Sequence, residues 1–86
     1  MFVILTYDIS ADRNAKMLKT CRKYLMHVQK SVFEGNLTEA KLKKLQKELE
    51  QIICMESDKL CIYKLESLRF VSKVKLGAYE SHDIFL

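Results

Sequence analysis

The run Phe2-Val3-Ile4-Leu5-Thr6-Tyr7 is continuously apolar or β-branched and stops on a charge, Asp8. Such a run reads as a strand buried on both faces and therefore central in a sheet. A chain of 86 residues has room for one modest core, so every other element has to be arranged around that strand. Proline is absent and glycine occurs twice, which removes collagen-like, proline-rich and flexible-linker architectures. Hydrophobic content of 49% against 30% charged belongs to a globular chain, not a disordered one.

Ser10 or Asp12 can cap the helix that follows Asp8. In that helix Leu18, Cys21, Leu25 and Val28 recur at spacings of three and four, with Met17 and Tyr24 flanking the stripe. Val28, Lys30 and Val32 then alternate with Gln29, Ser31 and Phe33, the period of a second strand. Gly35 and Asn36 supply a turn. Thr38 reads as the N-cap of a second helix, with Leu37 and Leu42 at the spacing of a hydrophobic staple and Glu39 favoured by the helix dipole. Leu42, Leu45, Leu49, Ile52 and Ile53 form its buried stripe. Asp58 opens a further strand through Leu65, and Arg69 to Leu76 alternates again across the short Glu66-Ser67-Leu68 link, which predicts a hairpin closed by Gly77.

The expected class is α+β: a ferredoxin-like β-α-β-β-α-β order with an extra C-terminal β segment. Residues 1–76 make the domain. Residues 77–86 end on Ile84-Phe85-Leu86, and an apolar terminus in so small a chain is expected to pair with the sheet edge of a second copy.

The net charge of +4 is unevenly placed. Residues 1–12 hold Asp8 and Asp12 and no base, whereas 13–33 hold Arg13, Lys16, Lys19, Arg22, Lys23 and Lys30 and no acid. The remainder is balanced, so the surplus belongs to one segment directly after a pair of acids. At about 100° per residue Lys16, Lys19 and Lys23 share an arc of roughly 60° opposite the apolar stripe. With Arg13, and Lys30 from the next strand, they are candidates for nucleic-acid backbone contacts; the alternative is a solvated helix face.

Asp8 is the main candidate for chemistry, since it sits where an apolar strand meets a loop. It reads either as a turn or capping residue or as a functional carboxylate. One carboxylate holds a divalent cation poorly, but a symmetric dimer brings two copies together. Cys21, Cys54 and Cys61 are odd in number and lack CxxC spacing, and His27 and His82 supply no ligand pair. That pattern disfavours a zinc site and favours a reducing, cytoplasmic compartment. The apolar N-terminus is too short to span a bilayer and lacks a basic leader region, so no membrane role is expected.

Tyr7-Asp8-Ile9-Ser10, Cys21-Arg22-Lys23-Tyr24-Leu25, Val28 through Thr38 with its V-Q-K-S-V-F-E-G core, and Asp58 through Leu65 together resemble the CRISPR-associated small adaptation proteins, the Cas-two family. The resemblance implies a ferredoxin-like homodimer in the machinery that inserts foreign DNA into CRISPR arrays. There it bridges a larger integrase subunit and lies along duplex DNA. It further implies possible endonuclease activity on single-stranded RNA or double-stranded DNA, dependent on Mg²⁺ or another divalent cation such as Mn²⁺. The family's metal-binding aspartate falls on Asp8, and its supporting tyrosine, serine and phenylalanine on Tyr7, Ser31 and Phe33. Two positions depart from the family pattern: Met26-His27 stands where a glycine and a basic residue are usual, and Lys64 replaces a proline. A purely structural DNA-binding adaptor and a ribonuclease toxin of the same fold are the alternative functions.

Overall fold

The computed structural model describes residues 1–79. In chain order the elements are β1 (Phe2–Asp8), α1 (Ala11–Arg22), β2 (Met26–Gln29), β3 (Val32–Asn36), α2 (Glu39–Glu50) and β4 (Lys59–Leu65). The strands form one sheet in the order β2-β3-β1-β4, with every neighbouring pair antiparallel. This is the ferredoxin-like β-α-β-β-α-β arrangement, with β1 central as its apolar run requires.

Successive side chains on β1 point to opposite faces. Val3, Leu5 and Tyr7 are buried in one cluster with Phe33 and with Met17, Cys21, Leu42, Leu45 and Leu49 from the two helices. Ile4 and Thr6, on the other face, are only half-buried. Phe2, on that face too, is buried, so the burial expected of β1 on both faces is complete on the side that both helices cover and partial on the other.

The second helix begins as its sequence dictates. The Thr38 hydroxyl accepts from the Lys41 N–H at 3.2 Å, and Leu37 and Leu42 both enter the core. In α1 the apolar face is turned toward Met17, Thr20 and Cys21, while Leu18 and Tyr24 are half-buried. Leu25 and Val28 lie beyond the helix end and cannot set its phase. Ser10 occupies the N-cap position, but its hydroxyl donates to Asp12 instead of closing a cap.

Two expected strands are corrected. Residues 28–33 form no single strand: β2 and β3 fold into a hairpin whose turn is Lys30-Ser31, so the alternation there joins two short strands across a reversal. Arg69 to Leu76 forms no strand and does not pair with β4. After Ser67 the chain turns, with Arg69 N–H donating to Ser67 Oγ and Val71 N–H to the Leu68 carbonyl. It then reaches across to β3 and β2, where Lys73 donates to Glu34 and the Tyr79 hydroxyl meets Gln29 Oε1 at 2.8 Å. Glu34 is 4% exposed, and a carboxylate this buried requires a cationic or hydrogen-bonding partner. Phe70, Val74 and Leu76 stay exposed. The end of the expected pairing segment, residues 80–86, lies outside the described residues. Among the described residues no helix is long and apolar enough to cross a membrane.

Candidate functional site

The edge pairing of β1 places Asp8 at the rim of the sheet. Its Cα partner on β4 is Lys59, and its side chain is exposed. The Tyr7 N–H donates to the Ser31 carbonyl at 3.1 Å, which ties the end of β1 to the β2–β3 turn. Between that turn and the start of α1 lies a depression of about 490 Å³, lined by Tyr7, Asp8, Ile9, Ala11, Asn14, Lys30 and Ser31. Asp8, Lys30 and Ser31, from separate parts of the sequence, thus share one surface. A smaller hollow of about 220 Å³ flanks Asp8 on the Lys59 side.

The floor beneath is apolar and stacked. Phe33 is fully buried, with its ring centroid 6.2 Å from that of Tyr7 and 4.5 Å from that of His27. Burial of this kind makes Phe33 a support and denies it to an incoming base. Tyr7 is itself 6% exposed, and its hydroxyl donates to Asn14 Oδ1 at 3.3 Å. Burial, reinforced by Cys21, raises the Tyr7 pKa, so the phenol keeps its proton. His27 stacks on Phe33 and lies with Nε2 3.3 Å from the Lys30 carbonyl. It closes the turn that presents Lys30 and Ser31. Lys64, which has the backbone N–H that a proline would lack, pairs with Val3 of β1, and its Nζ lies 3.6 Å from Glu39.

Among the basic candidates, two are engaged within the chain. Arg13 donates from Nε and Nη2 to the Asp58 carboxylate at 2.7 and 2.8 Å. Lys23, at the C-cap of α1, pairs with Glu48 of α2. Lys16, Lys19 and Lys30 are exposed and make no ion pair among the described residues. Asp58, which sequence reasoning takes only as the start of a strand, also accepts from the Cys54 and Ser10 N–H groups at 2.7 and 3.3 Å. The Arg13 guanidinium first, then these backbone N–H groups, hold its carboxyl well below the usual carboxylate range. Asn14 also escapes sequence reasoning, since nothing in its own neighbourhood of sequence connects it to Ser31.

A metal-binding role for Asp8 has a clear donor requirement. Mg²⁺ takes an octahedron of oxygens and is commonly held by one or two carboxylates together with waters and phosphate oxygens. Among the described residues no three His, Cys, Asp or Glu side chains are grouped to hold an ion. Asp8 of one chain is therefore a sparse site on its own.

The profile of the CRISPR associated protein Cas2 family matches residues 1–72. A CRISPR-associated endoribonuclease Cas2 3 of Thermodesulfovibrio yellowstonii is 46% identical over 88% of this chain and 86% of its own length. A CRISPR-associated endoribonuclease Cas2 of Thermotoga maritima is 38% identical over 100% of this chain and 99% of its own. Among solved structures, a crystal structure of cas2 superposes with a TM-score of 0.82 at 34% identity, covering 100% of this chain and 97% of that one. With the family profile, the identities to these relatives and the fold all in agreement, the chain belongs to the Cas2 family of CRISPR-associated proteins.

Proposed function

We propose that the chain works as a cytoplasmic homodimer in CRISPR adaptation, binding nucleic acid, bridging the larger integrase subunit, and hydrolysing phosphodiester bonds with a divalent cation held between two copies of Asp8. The observation that carries this reading is the shared rim of Asp8, Lys30 and Ser31 around one depression, tied together by the Tyr7–Ser31 backbone bond. The relatives' names as endoribonucleases favour RNA among the possible substrates.

Two copies of Asp8 would hold the ion, and Mg²⁺ or Mn²⁺ bound there would supply positive charge and a more acidic water. The chain's own residues do the rest. Lys30 attracts the phosphate, the Ser31 hydroxyl offers a hydrogen bond, and Lys16 and Lys19 draw in the flanking backbone. Lys23, although paired with Glu48, adds to the same field. Arg13 contributes by holding the loop after Asp8 through Asp58 rather than by reaching the nucleic acid.

A second reading has its own support. One carboxylate per chain and no grouped ligands among the described residues suit an adaptor that holds DNA without cutting it. Cleavage of a single-stranded RNA in Mg²⁺, by wild type and by Asp8→Asn purified identically, tests the two. On the nuclease reading the variant loses at least roughly 100-fold, the upper end of what even an outer-shell partner costs. Equal cleavage by both rejects Asp8 as the site. Retention of array insertion by an Asp8→Asn protein that no longer cleaves assigns the biological role to the adaptor.

A further inference from the structure

The depression beside Asp8 contains one polar side chain to which the proposed chemistry gives no task. Asn14 projects from the first turns of α1 into the same space as Asp8, Lys30 and Ser31. Its Oδ1 is already taken by the Tyr7 hydroxyl at 3.3 Å. An amide oxygen can only accept, so the buried Tyr7 hydroxyl is the donor and the acceptor end of the amide is engaged. The Nδ2 group, with two N–H donors, then has no partner among the described residues, and Asn14 is one of the residues that line the depression.

From this we infer that Asn14 is a substrate-contacting residue, a neutral donor to a phosphodiester oxygen, oriented by Tyr7. The inference rests on the proposed nucleic-acid site and adds a residue to it. The chemistry around Asn14 points to an anionic, acceptor-rich ligand: an ammonium from Lys30, a hydroxyl from Ser31 and an amide N–H₂ converge, with Asp8 as the one acid. An amide differs from a lysine here in a measurable way. It fixes direction without adding charge, and so it releases no counterion when the nucleic acid binds.

Affinity for a short single-stranded RNA, measured across a salt series without added divalent ion, separates the two contributions. Asn14→Ala weakens binding about tenfold, the size of one hydrogen bond to a charged group, and leaves the slope of log K against log salt unchanged. Lys30→Ala weakens binding and lowers that slope by about 0.7. Tyr7→Phe, which keeps the ring over Phe33 and removes only the anchor, reproduces part of the Asn14→Ala loss, with the slope again unchanged. Asn14→Asp, of the same shape with a charge added, binds more weakly than Asn14→Ala. Wild-type affinity in Asn14→Ala overturns the inference, as does a loss accompanied by a changed slope. Because binding alone is read, this outcome is independent of whether Asp8→Asn abolishes cleavage.

Discussion

Asp58 receives N–H bonds from Arg13, Cys54 and Ser10, and so fastens the loop after α2 to the loop that follows Asp8. Its lowered pKa means that the clamp is complete above the ordinary carboxylate range near pH 4 and is lost as pH falls through the depressed folded value. Asp58→Asn is therefore expected to lower the melting temperature at pH 7, with the gap to wild type closing as pH is taken well below 4. A gap that stays constant with pH would mean that the carboxylate charge contributes nothing. At this scale the sequence is legible where function follows from local position. Asp8 is recognisable because an apolar strand ends on it, and Thr38 because capping is a matter of the next three residues. The engagement of Arg13 is not, since its partner lies 45 positions away and only the antiparallel pairing of β1 with β4 brings them together. Asn14 is hidden because only the fold brings the start of α1 beside the β2–β3 turn.

Among the elements, α2 is readable in its cap and its leucines, which repeat with an uninterrupted helical period. Ile52 and Ile53 of the expected stripe lie past its end and are half-buried, and Glu48 is engaged by Lys23. Leu45 is fully buried in it, so Leu45→Ala is expected to cost about 2–5 kcal/mol in denaturant unfolding with an unchanged m-value. The β2–β3 hairpin, by contrast, reads in sequence as one strand. Its reversal at Lys30-Ser31 has neither glycine nor proline to mark it, and the irregular register between His27 and Gln29 lets the alternation pass through the turn. The basic face of α1 is narrower than its sequence suggests, since Arg13 and Lys23 are paired within the chain. Replacing Lys16 and Lys19 by Glu is expected to reduce the salt dependence of duplex DNA binding by about 0.9 in log–log slope for each phosphate that the lysines neutralise. An unchanged slope would return both lysines to plain solvated surface.

For the molecule as a whole, the two-layer arrangement leaves one sheet face without helices. Ile4 and Thr6 are half-covered there, and the strap from Ser67 to Tyr79 crosses toward Glu34 and Gln29 while Phe70, Val74 and Leu76 remain exposed. Apolar exposure of this extent on a small protein marks an interaction surface, and under the proposed function a second copy of the chain is the expected occupant, since it would also supply the second Asp8. The α+β class is legible from the mixture of strand and helix periods and the ferredoxin-like order from the family resemblance, whereas the course of Arg69 to Leu76 is not legible: alternation specifies two faces but not which strand, in which chain, will be the neighbour. Removing residues 80–86 is expected to shift sedimentation from dimer toward monomer, and an unchanged mass would exclude that segment from the interface. The central claim, that Asp8 holds a cation only as a pair, is tested most directly by calorimetric titration of the protein with Mn²⁺ at a concentration where it is dimeric. The expected result is one ion per two chains, with binding lost in an Asp8→Asn protein that still sediments as the wild type does. One ion per chain, or undiminished binding by Asp8→Asn, would contradict it.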